Sequence, residues 1–160
     1  MDVSEGMKYL HKNQILFRDL KTENVGSTSA SIEQYQRMQI FDFGLAREYD
    51  DTISSFYDTY RMTGLTGTLR IMAPEVIQCS PYGLSADVYS FGICMWEVFQ
   101  GTKCDFLSAA EICNRKNKNK NNKKYIGIGM PKKLQNLMQQ CWNDNSNERP
   151  TFNEISSQLS

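Results

Sequence analysis

Apolar residues recur at helical spacing near both ends of the chain. The first stripe comprises Val3, Met7 and Leu10, and the second comprises Leu134, Leu137, Met138 and Cys141. Because positions three and four apart lie on one face of a helix, each stripe predicts an amphipathic helix. Downstream of the second stripe, Thr151 and Glu154 form a T-x-x-E capping box, which predicts another helix start just before Ile155.

The most apolar segment lies in the middle of the chain. Residues 85–100 read SADVYSFGICMWEVFQ, and apolar side chains would cover nearly all sides of a helix drawn through them. We therefore predict a buried central helix that begins at a Ser85 N-cap and ends before Gly101. The apolar run is short and is interrupted by Glu97, so we expect no membrane span.

Two other segments have no helical stripe. Residues 35–41, YQRMQIF, partly alternate between polar and apolar, which favours a short strand. Residues 47–70 are rich in Thr, Ser, Tyr and Asp, which predicts a loop. A loop longer than about 12–15 residues in a compact domain is usually functional or disordered. The pattern therefore predicts a mainly helical fold with a few short strands near the start.

The composition excludes several classes of protein. The 160 residues suit about one domain, and 18 basic against 18 acidic residues exclude a strongly basic nucleic-acid binder or an acidic disordered tail. A single His, His11, leaves no His-rich zinc site and no Ser-His-Asp triad. Five Cys without a C-x-x-C pair suit free thiols in a reducing compartment. With no signal-peptide core at the start, we expect a cytoplasmic protein, with the nucleus as an alternative.

One segment departs from this balanced charge. Residues 114–124, NRKNKNKNNKK, contain six basic residues and no acidic one. The run has no apolar periodicity, so it predicts a solvated loop. Binding of nucleic acid or an anionic lipid through Lys116–Lys124 is the alternative interpretation, and we expect no nucleic-acid partner.

Three short motifs could carry chemistry. Residues 17–24, FRDLKTEN, place Asp19, Lys21 and Asn24 in one non-periodic segment. Phosphoryl transfer needs such a mixture: a carboxylate for the proton of the nucleophile, a cation for phosphate charge and a neutral oxygen ligand for Mg²⁺. Asp42-Phe43-Gly44 and Ala73-Pro74-Glu75 follow. Each motif alone is also compatible with a surface turn or a helix start.

The order of these motifs is more specific than any one of them. R-D-L-K-x-x-N, D-F-G, a polar loop and G-T-x-R-x-M-A-P-E succeed one another, and D-V-Y-S-F-G and C-W…R-P-T-F come after them. The series resembles that of protein kinases, and nearly the whole chain is similar to the C-terminal lobe of a eukaryotic protein kinase. The resemblance implies an α+β, mainly α fold with short β-strands around the catalytic loop 17–24. It implies a partial kinase domain over 1–160, with an activation segment over 42–75.

The resemblance also implies roles for individual residues. Asp19 corresponds to the catalytic base, Lys21 to the lysine that steadies the γ-phosphate of ATP, and Asn24 and Asp42 to two Mg²⁺ ligands. The remaining positions are supporting ones. Arg18 would bind a phosphate on the activation loop, with Thr63 and Thr66 as candidates; Phe43 and Gly44 belong to the D-F-G motif; Thr68 would touch the base and the lysine; Asp87 would hold the catalytic-loop backbone; Glu75 and Arg149 would form an ion pair. Thr68, Asp87 and the ion pair could equally serve only capping, packing and pairing.

Lys21 and the Gly67-Thr68 pair favour serine and threonine over tyrosine as acceptors. The strings G-T-L-R-I-M-A-P-E and D-V-Y-S-F-G-I-C-M-W-E lean toward the tyrosine-kinase-like group. The resemblance therefore implies a serine/threonine kinase whose partners are ATP, Mg²⁺ and protein substrates with Ser or Thr.

The chain departs from the family pattern in several places. Phe17 stands where His is usual, Thr22 replaces a common Pro with little expected consequence, and Gly26 stands near a position that usually supplies an apolar floor for adenine. Residues 101–106 read GTKCDF instead of a compact G-x-x-P-F loop. The sequence contains no G-x-G-x-x-G-x-V loop and no V-A-I-K lysine, and Gly127-x-Gly129 is interpreted as a turn. We therefore expect a piece of a longer kinase without its N-terminal lobe, and the alternative is an inactive, pseudokinase-like scaffold.

Overall fold

The computed structural model describes residues 2–27, 37–48, 67–104 and 129–159. Within these ranges the helices are α1 (Asp2–Lys12), α2 (Pro74–Ile77), α3 (Ser85–Gln100), α4 (Lys132–Cys141) and α5 (Phe152–Leu159). The strands are β1 (Ile15–Leu16), β2 (Val25–Ser27), β3 (Met38–Ile40) and β4 (Arg47–Glu48). Short 3₁₀ turns cover Thr22–Asn24, Phe43–Leu45, Leu69–Ile71 and Ser146–Glu148. The content agrees with the expected mainly helical fold with few short strands.

Helix α3 is the buried central helix that its sequence predicts. Eleven of its sixteen residues are buried, and it ends at Gly101, whose φ of 64° provides a left-handed C-cap. The prediction of Ser85 as N-cap is wrong, because Ser85 is the first helical residue and follows Leu84. The turn before it explains the difference: Gly83 and Leu84 carbonyls already accept the first amides of the helix, from Ala86 and Asp87.

Helices α1 and α4 pack around this centre with the faces that their stripes predict, and α5 packs with them. Leu137, Met138 and Cys141 are buried on α4. At the crossing with α3, a Cβ on Gly92 would stand 2.9 Å from the Cβ of Cys141, so only glycine allows this approach. Met7 and Leu10 of α1 are buried in a cluster with residues of α5.

The predicted capping box at the start of α5 is confirmed. The Thr151 N–H donates to the Glu154 carboxylate at 2.7 Å, and the Glu154 N–H donates to Thr151 Oγ1 at 3.3 Å. The two bonds satisfy amides that the first helical turn would otherwise leave without acceptors.

Two antiparallel strand pairs flank residues 17–24. Strand β1 pairs with β4, with Leu16 opposite Arg47, and β2 pairs with β3, with Val25 opposite Ile40. The loop predicted over residues 47–70 therefore begins with two paired residues, because Arg47–Glu48 find backbone partners in β1. The strand predicted over residues 35–41 is confirmed at Met38–Ile40.

Some predictions lie outside the described residues. They concern residues 49–66 of the polar loop, with Thr63 and Thr66, and the basic run at 114–124. Gly129 lies in a turn with a φ of 98°, as interpreted from the sequence. The described helices include none long and apolar enough to cross a bilayer.

Candidate active site

The segment 17–24 begins where β1 ends, and Asp87 of α3 holds its backbone. The Phe17 N–H donates to Asp87 Oδ2 and the Arg18 N–H to Asp87 Oδ1, both at 2.8 Å. His11 Nε2 lies 3.0 Å from the same Oδ2. Asp87 is 1% exposed, so its charge is compensated by these donors rather than by water. Arg18 adopts a left-handed backbone with a φ of 71°, which turns the chain toward the next residue, Asp19.

Asp19, Lys21 and Thr68 converge at one point. Lys21 Nζ donates to Asp19 Oδ2 at 2.5 Å and to Thr68 Oγ1 at 3.1 Å. The Thr68 N–H donates to Asp19 Oδ1 at 3.1 Å. The two segments are 47 residues apart in sequence at Lys21 and Thr68. The aspartate, lysine and threonine singled out by the sequence therefore share one hydrogen-bonded group.

Gly67 makes this approach possible. Its φ is 117°, and a Cβ there would stand 2.9 Å from the Arg18 carbonyl oxygen. A side chain would meet both an unfavourable backbone conformation and a backbone atom that cannot move aside. Gly67 thus lets the amide of Thr68 reach the Asp19 carboxylate.

The pKa of Asp19 reflects two opposing effects. Burial alone would raise it, but the hydrogen bonds from Lys21 and Thr68, with the Lys21 charge, outweigh burial and lower the pKa below its ordinary value. Asp19 is therefore ionised at neutral pH. It can accept a hydrogen bond from a hydroxyl group and take up its proton.

Two further residues offer oxygen atoms to a cation. Asn24 is buried, and its Nδ2 donates to the Asp19 carbonyl at 2.9 Å and to Asp19 Oδ2 at 3.2 Å, which leaves Oδ1 as its ligand atom. Asp42 is exposed, in a left-handed conformation with a φ of 59°, and its Oδ1 accepts the Gly44 N–H at 3.2 Å. The Phe41 N–H donates to the Asn24 carbonyl at 2.8 Å, so the two motifs are adjacent.

This donor set fits Mg²⁺. The ion prefers oxygen ligands, and it commonly uses one or two protein groups together with phosphate oxygens and water. Asn24 Oδ1 and the Asp42 carboxylate supply that number. In the described ranges, no group of three or more His, Cys, Asp or Glu residues could hold a metal instead.

The D-F-G segment packs beside residues 17–24. The rings of Phe17 and Phe43 meet edge to face with centroids 5.3 Å apart, although Phe43 is 51% exposed. Arg18 Nε donates to the Leu45 carbonyl at 2.7 Å. The ring of Phe41 lies over Gly26, where a Cβ would meet Phe41 Cε2 at 3.1 Å. The bulk missing at Gly26 is therefore occupied by an aromatic ring that directly follows β3, the strand paired with β2.

Glu75 and Arg149 form the ion pair that the resemblance implies. Arg149 donates through two nitrogens to the two carboxylate oxygens of Glu75, at 2.5 and 2.9 Å, and its side chain is completely buried. Arg149 Nε donates to the Asn143 carbonyl, and Nη1 also donates to that of Ser85. The guanidinium lies 5.1 Å from the centre of the Tyr89 ring. This residue therefore joins Glu75 of α2 to the start of α3.

A polar cluster at the end of residues 17–24 was not predicted. It comprises Thr22, Glu23, Arg70, Glu97 and Lys103. Glu97, 3% exposed, accepts from Arg70 Nε, Thr22 Oγ1 and the Cys104 N–H, each at 2.9 Å. Arg70 Nη2 reaches Glu23 at 2.7 and 2.8 Å, and Lys103 Nζ lies 2.9 Å from Glu23 and 2.6 Å from Thr22 Oγ1. The signal in the sequence was Glu97, since a lone acid in an apolar helix needs a partner.

The polar cluster depresses the pKa of both of its acids. For Glu23, burial raises the pKa, but the hydrogen bonds from Lys103, from the backbone of Glu23 and from Arg70, with the Arg70 charge, outweigh burial and lower the pKa to about 2. For Glu97, burial again acts upward, and the Cys104 amide, Arg70 and Thr22 together bring the pKa below its ordinary value. Both carboxylates are therefore charged at neutral pH, and the cluster connects three segments: 22–23, 70, and 97–104.

Comparisons with known proteins identify the family of the chain. The family model described as protein tyrosine and serine/threonine kinase matches residues 1–159. The chain belongs to the protein kinase family. By family it is a serine/threonine kinase, and the expected resemblance to the tyrosine-kinase-like group is confirmed.

Three relatives illustrate the similarity. Serine/threonine-protein kinase STY46 of Arabidopsis thaliana is 35% identical over 99% of this chain, and serine/threonine-protein kinase STY17 of the same plant is 34% identical over 97%. A mitogen-activated protein kinase kinase kinase of Drosophila melanogaster is 34% identical over 99%. The chain spans 26%, 25% and 14% of these relatives, respectively.

Proposed function

We propose that this chain carries the catalytic centre of a protein kinase that transfers the γ-phosphate of ATP to serine or threonine hydroxyl groups of proteins. The observation that carries the proposal is the convergence of Asp19, Lys21 and Thr68 through hydrogen bonds of 2.5–3.1 Å. A surface turn with the same residues would not bury its aspartate to 5% exposure.

Each polar group of the site has a task in this proposal. Asp19 accepts the hydrogen bond of the substrate hydroxyl and takes its proton, and Lys21 provides a positive charge beside the phosphate. Thr68, in the proposed activation segment, holds Lys21 and Asp19 in position through its two hydrogen bonds. Asn24 and Asp42 would hold Mg²⁺, which neutralises phosphate charge when it is bound. The chemistry is thus mostly positioning and charge stabilisation.

The lowered pKa of Asp19 is compatible with this task. A weak base contributes little to proton removal from a free hydroxyl. In a loose transition state for phosphoryl transfer, however, the nucleophile needs orientation more than deprotonation. An ionised, firmly held Asp19 supplies that orientation.

We further propose that residues 1–160 form the C-terminal lobe of this kinase, in the cytoplasm, and that residues 42–75 form its activation segment. The second surface of the nucleotide site would then come from an N-terminal lobe. Residues 17–24 and the D-F-G motif at 42–44, with Phe41 over Gly26, would form the lower surface of that site.

Phosphate transfer by a two-lobed protein tests the proposal. The chain would be joined to the N-terminal lobe of a relative such as STY46 and given Mg²⁺, labelled ATP and a generic protein substrate. Label on serine and threonine that disappears with Asp19→Asn supports the function. Stable folding with no transfer would instead favour the alternative of a non-catalytic scaffold.

A further inference from the structure

A cavity of about 390 Å³ lies between α1, the start of α3 and the start of α5. Leu84, Val88, Pro150 and Phe152 give it an apolar lining. Sites for small molecules typically have about 300–1,000 Å³ and combine an apolar lining with a few polar groups. The dimensions and lining therefore suit a small apolar group.

The rim of the cavity is basic. Lys8, His11 and Lys12, from consecutive turns of α1, line its edge. Three acids lie nearby: Glu5 is 3.5 Å from Lys8, Asp87 is 3.0 Å from His11, and Glu154 accepts the capping bonds of Thr151. The guanidinium of Arg149, also in the lining, is paired with Glu75. Lys12 adds charge without a described acid beside it, so the rim favours a negatively charged group.

His11 connects this cavity to the catalytic segment. Its Nε2 faces the Asp87 carboxylate at 3.0 Å and so carries the proton of that hydrogen bond, which leaves Nδ1 as the ring nitrogen for a ligand. The edge of the ring packs against Phe152, with centroids 4.8 Å apart. The same Asp87 carboxylate accepts the amides of Phe17 and Arg18. A ligand against His11 is therefore two hydrogen bonds from the catalytic backbone.

We propose that this cavity binds a small monocarboxylate with an apolar body, and that its occupancy steadies the catalytic segment through His11 and Asp87. The carboxylate lies at the rim beside Lys8, Lys12 and His11, and the apolar body covers the partly exposed Leu84 and Pro150. Because coupling between two sites is reciprocal, anything that fixes the Asp87 bonds also favours binding in the cavity.

The test uses the whole 160-residue chain and does not depend on phosphate transfer. The probe is 2-naphthoate, and 2-naphthamide is the neutral analogue of the same shape. Calorimetry gives the affinity of each, and NMR follows the ring signals of His11, which are unambiguous because the chain has one His. We expect naphthoate to bind, to shift the His11 signals and to bind more tightly than the amide. Equal affinity for the amide, or binding without a His11 shift, would overturn the proposal.

Paired variants separate the cavity from general attraction of an anion. Lys8→Gln with Lys12→Gln should weaken naphthoate about fivefold, the size expected for two exposed ion pairs. Lys132→Gln with Lys133→Gln removes the same charge from the exposed start of α4 and should leave the affinity unchanged. Ser85→Trp fills the cavity while keeping the Ser85 carbonyl bond, and should abolish binding. An equal loss with both lysine pairs means that the cavity is not the site.

Hydrogen exchange tests the coupling. Saturating naphthoate should slow exchange of the Phe17 and Arg18 amides several-fold, with no change in the amides of α4. The Ser85→Trp variant with naphthoate provides the baseline. Binding that leaves the two amides unchanged refutes the link to the catalytic segment.

Discussion

Arg149 donates two parallel hydrogen bonds to Glu75 from a side chain that is completely buried. The same guanidinium also binds the carbonyls of Asn143 and Ser85, so one side chain holds three segments together. A planar guanidinium can make such a fork, whereas the single ammonium of a lysine cannot. The pair therefore fixes the start of α2, directly after the segment that brings Thr68 to Asp19.

Loss of this pair should be costly. Removing one partner of a buried ion pair leaves the other charge uncompensated, which typically costs about 3–5 kcal/mol. We expect Arg149→Met to lower the free energy of unfolding by that amount, measured by urea denaturation. Arg47→Met removes the same group from an exposed strand position and is the control. If Arg149→Met costs no more than Arg47→Met, Glu75 is accommodated without its partner and the assigned importance of the pair is wrong.

The polar cluster also contributes to the free energy of unfolding, and this contribution should depend on pH. The pKa of Glu23 falls from an ordinary 4.5 to about 2 in the folded chain, and the pKa of Glu97 is also lowered. A group with a depressed folded pKa stabilises the fold above its unfolded pKa, and this stabilisation is lost as the pH falls through the folded value. Glu23 is 42% exposed, so solvent screening reduces its share.

We therefore expect the stability difference between the natural chain and Glu97→Gln to shrink as the pH falls from about 5 toward 2. The measurement is the free energy of unfolding of both proteins across that range. Glu5→Gln, which removes a carboxylate from the exposed face of α1, accounts for the change in net charge. A difference that is constant with pH would contradict the stabilising role of the ionised cluster.

Elements with strong local signals could be predicted from the sequence. The stripes of α1 and α4, the capping box of α5 and the stop at Gly101 depend on neighbouring residues, and the structure contains each of them. The Ser85 cap failed because the carbonyls of a preceding turn accept the same amides. A capping rule based on the residue type at one position does not take the preceding turn into account.

The candidate site, too, could be predicted only in part from the sequence. The motif order identified Asp19, Lys21 and Thr68, and the structure brings them together. Thr22 and Lys103 were noticed only as a departure and as part of an unusual loop, yet they lie 2.6 Å apart. Their meeting depends on where α3 ends relative to residues 17–24, which is a tertiary relationship. Glu97 was the clue, but its partners could not be chosen from the sequence.

Catalysis should depend on both carboxylates of the proposed site. In the two-lobed protein, Asp19→Asn removes the proton acceptor and Asp42→Asn removes a Mg²⁺ ligand, and each should lower kcat by roughly 10²-fold or more. The double variant should be little worse than either single one, because groups that act together are not additive. Phosphate transfer rates are the measurement, and near-normal transfer by either single variant would exclude that residue from its role.

Regulation should involve Arg18. A phosphate on Thr63 or Thr66 of the proposed activation segment would make charge-assisted hydrogen bonds to its guanidinium and order the segment. We expect mass spectrometry of active two-lobed enzyme to find phosphate there, and phosphatase treatment to lower activity in the natural protein but not further in Arg18→Gln. Full activity with an unmodified segment would refute this mechanism.

The 160 residues alone should bind Mg·ATP far more weakly than a two-lobed kinase and should transfer no phosphate at a useful rate. Asn24 and Asp42 supply two oxygen ligands, and Asp42 is exposed, so water competes for the cation. Mg²⁺ gives up water reluctantly and relies on phosphate oxygens that must themselves be held. On the nucleotide side the described chain offers Phe41, 40% exposed over Gly26, as an aromatic surface.

Labelled ATP and a generic protein substrate provide the measurement, with the two-lobed protein as positive control and Asp19→Asn as background. We expect the natural 160-residue chain to match that background. Transfer above background that disappears in Asp19→Asn would mean that the group formed by Asp19, Lys21 and Thr68 is sufficient by itself. The nucleotide would then have to be held by residues of this chain, and Phe41→Ala would be the next variant to test, because Phe41 immediately precedes Asp42 and its N–H donates to the Asn24 carbonyl.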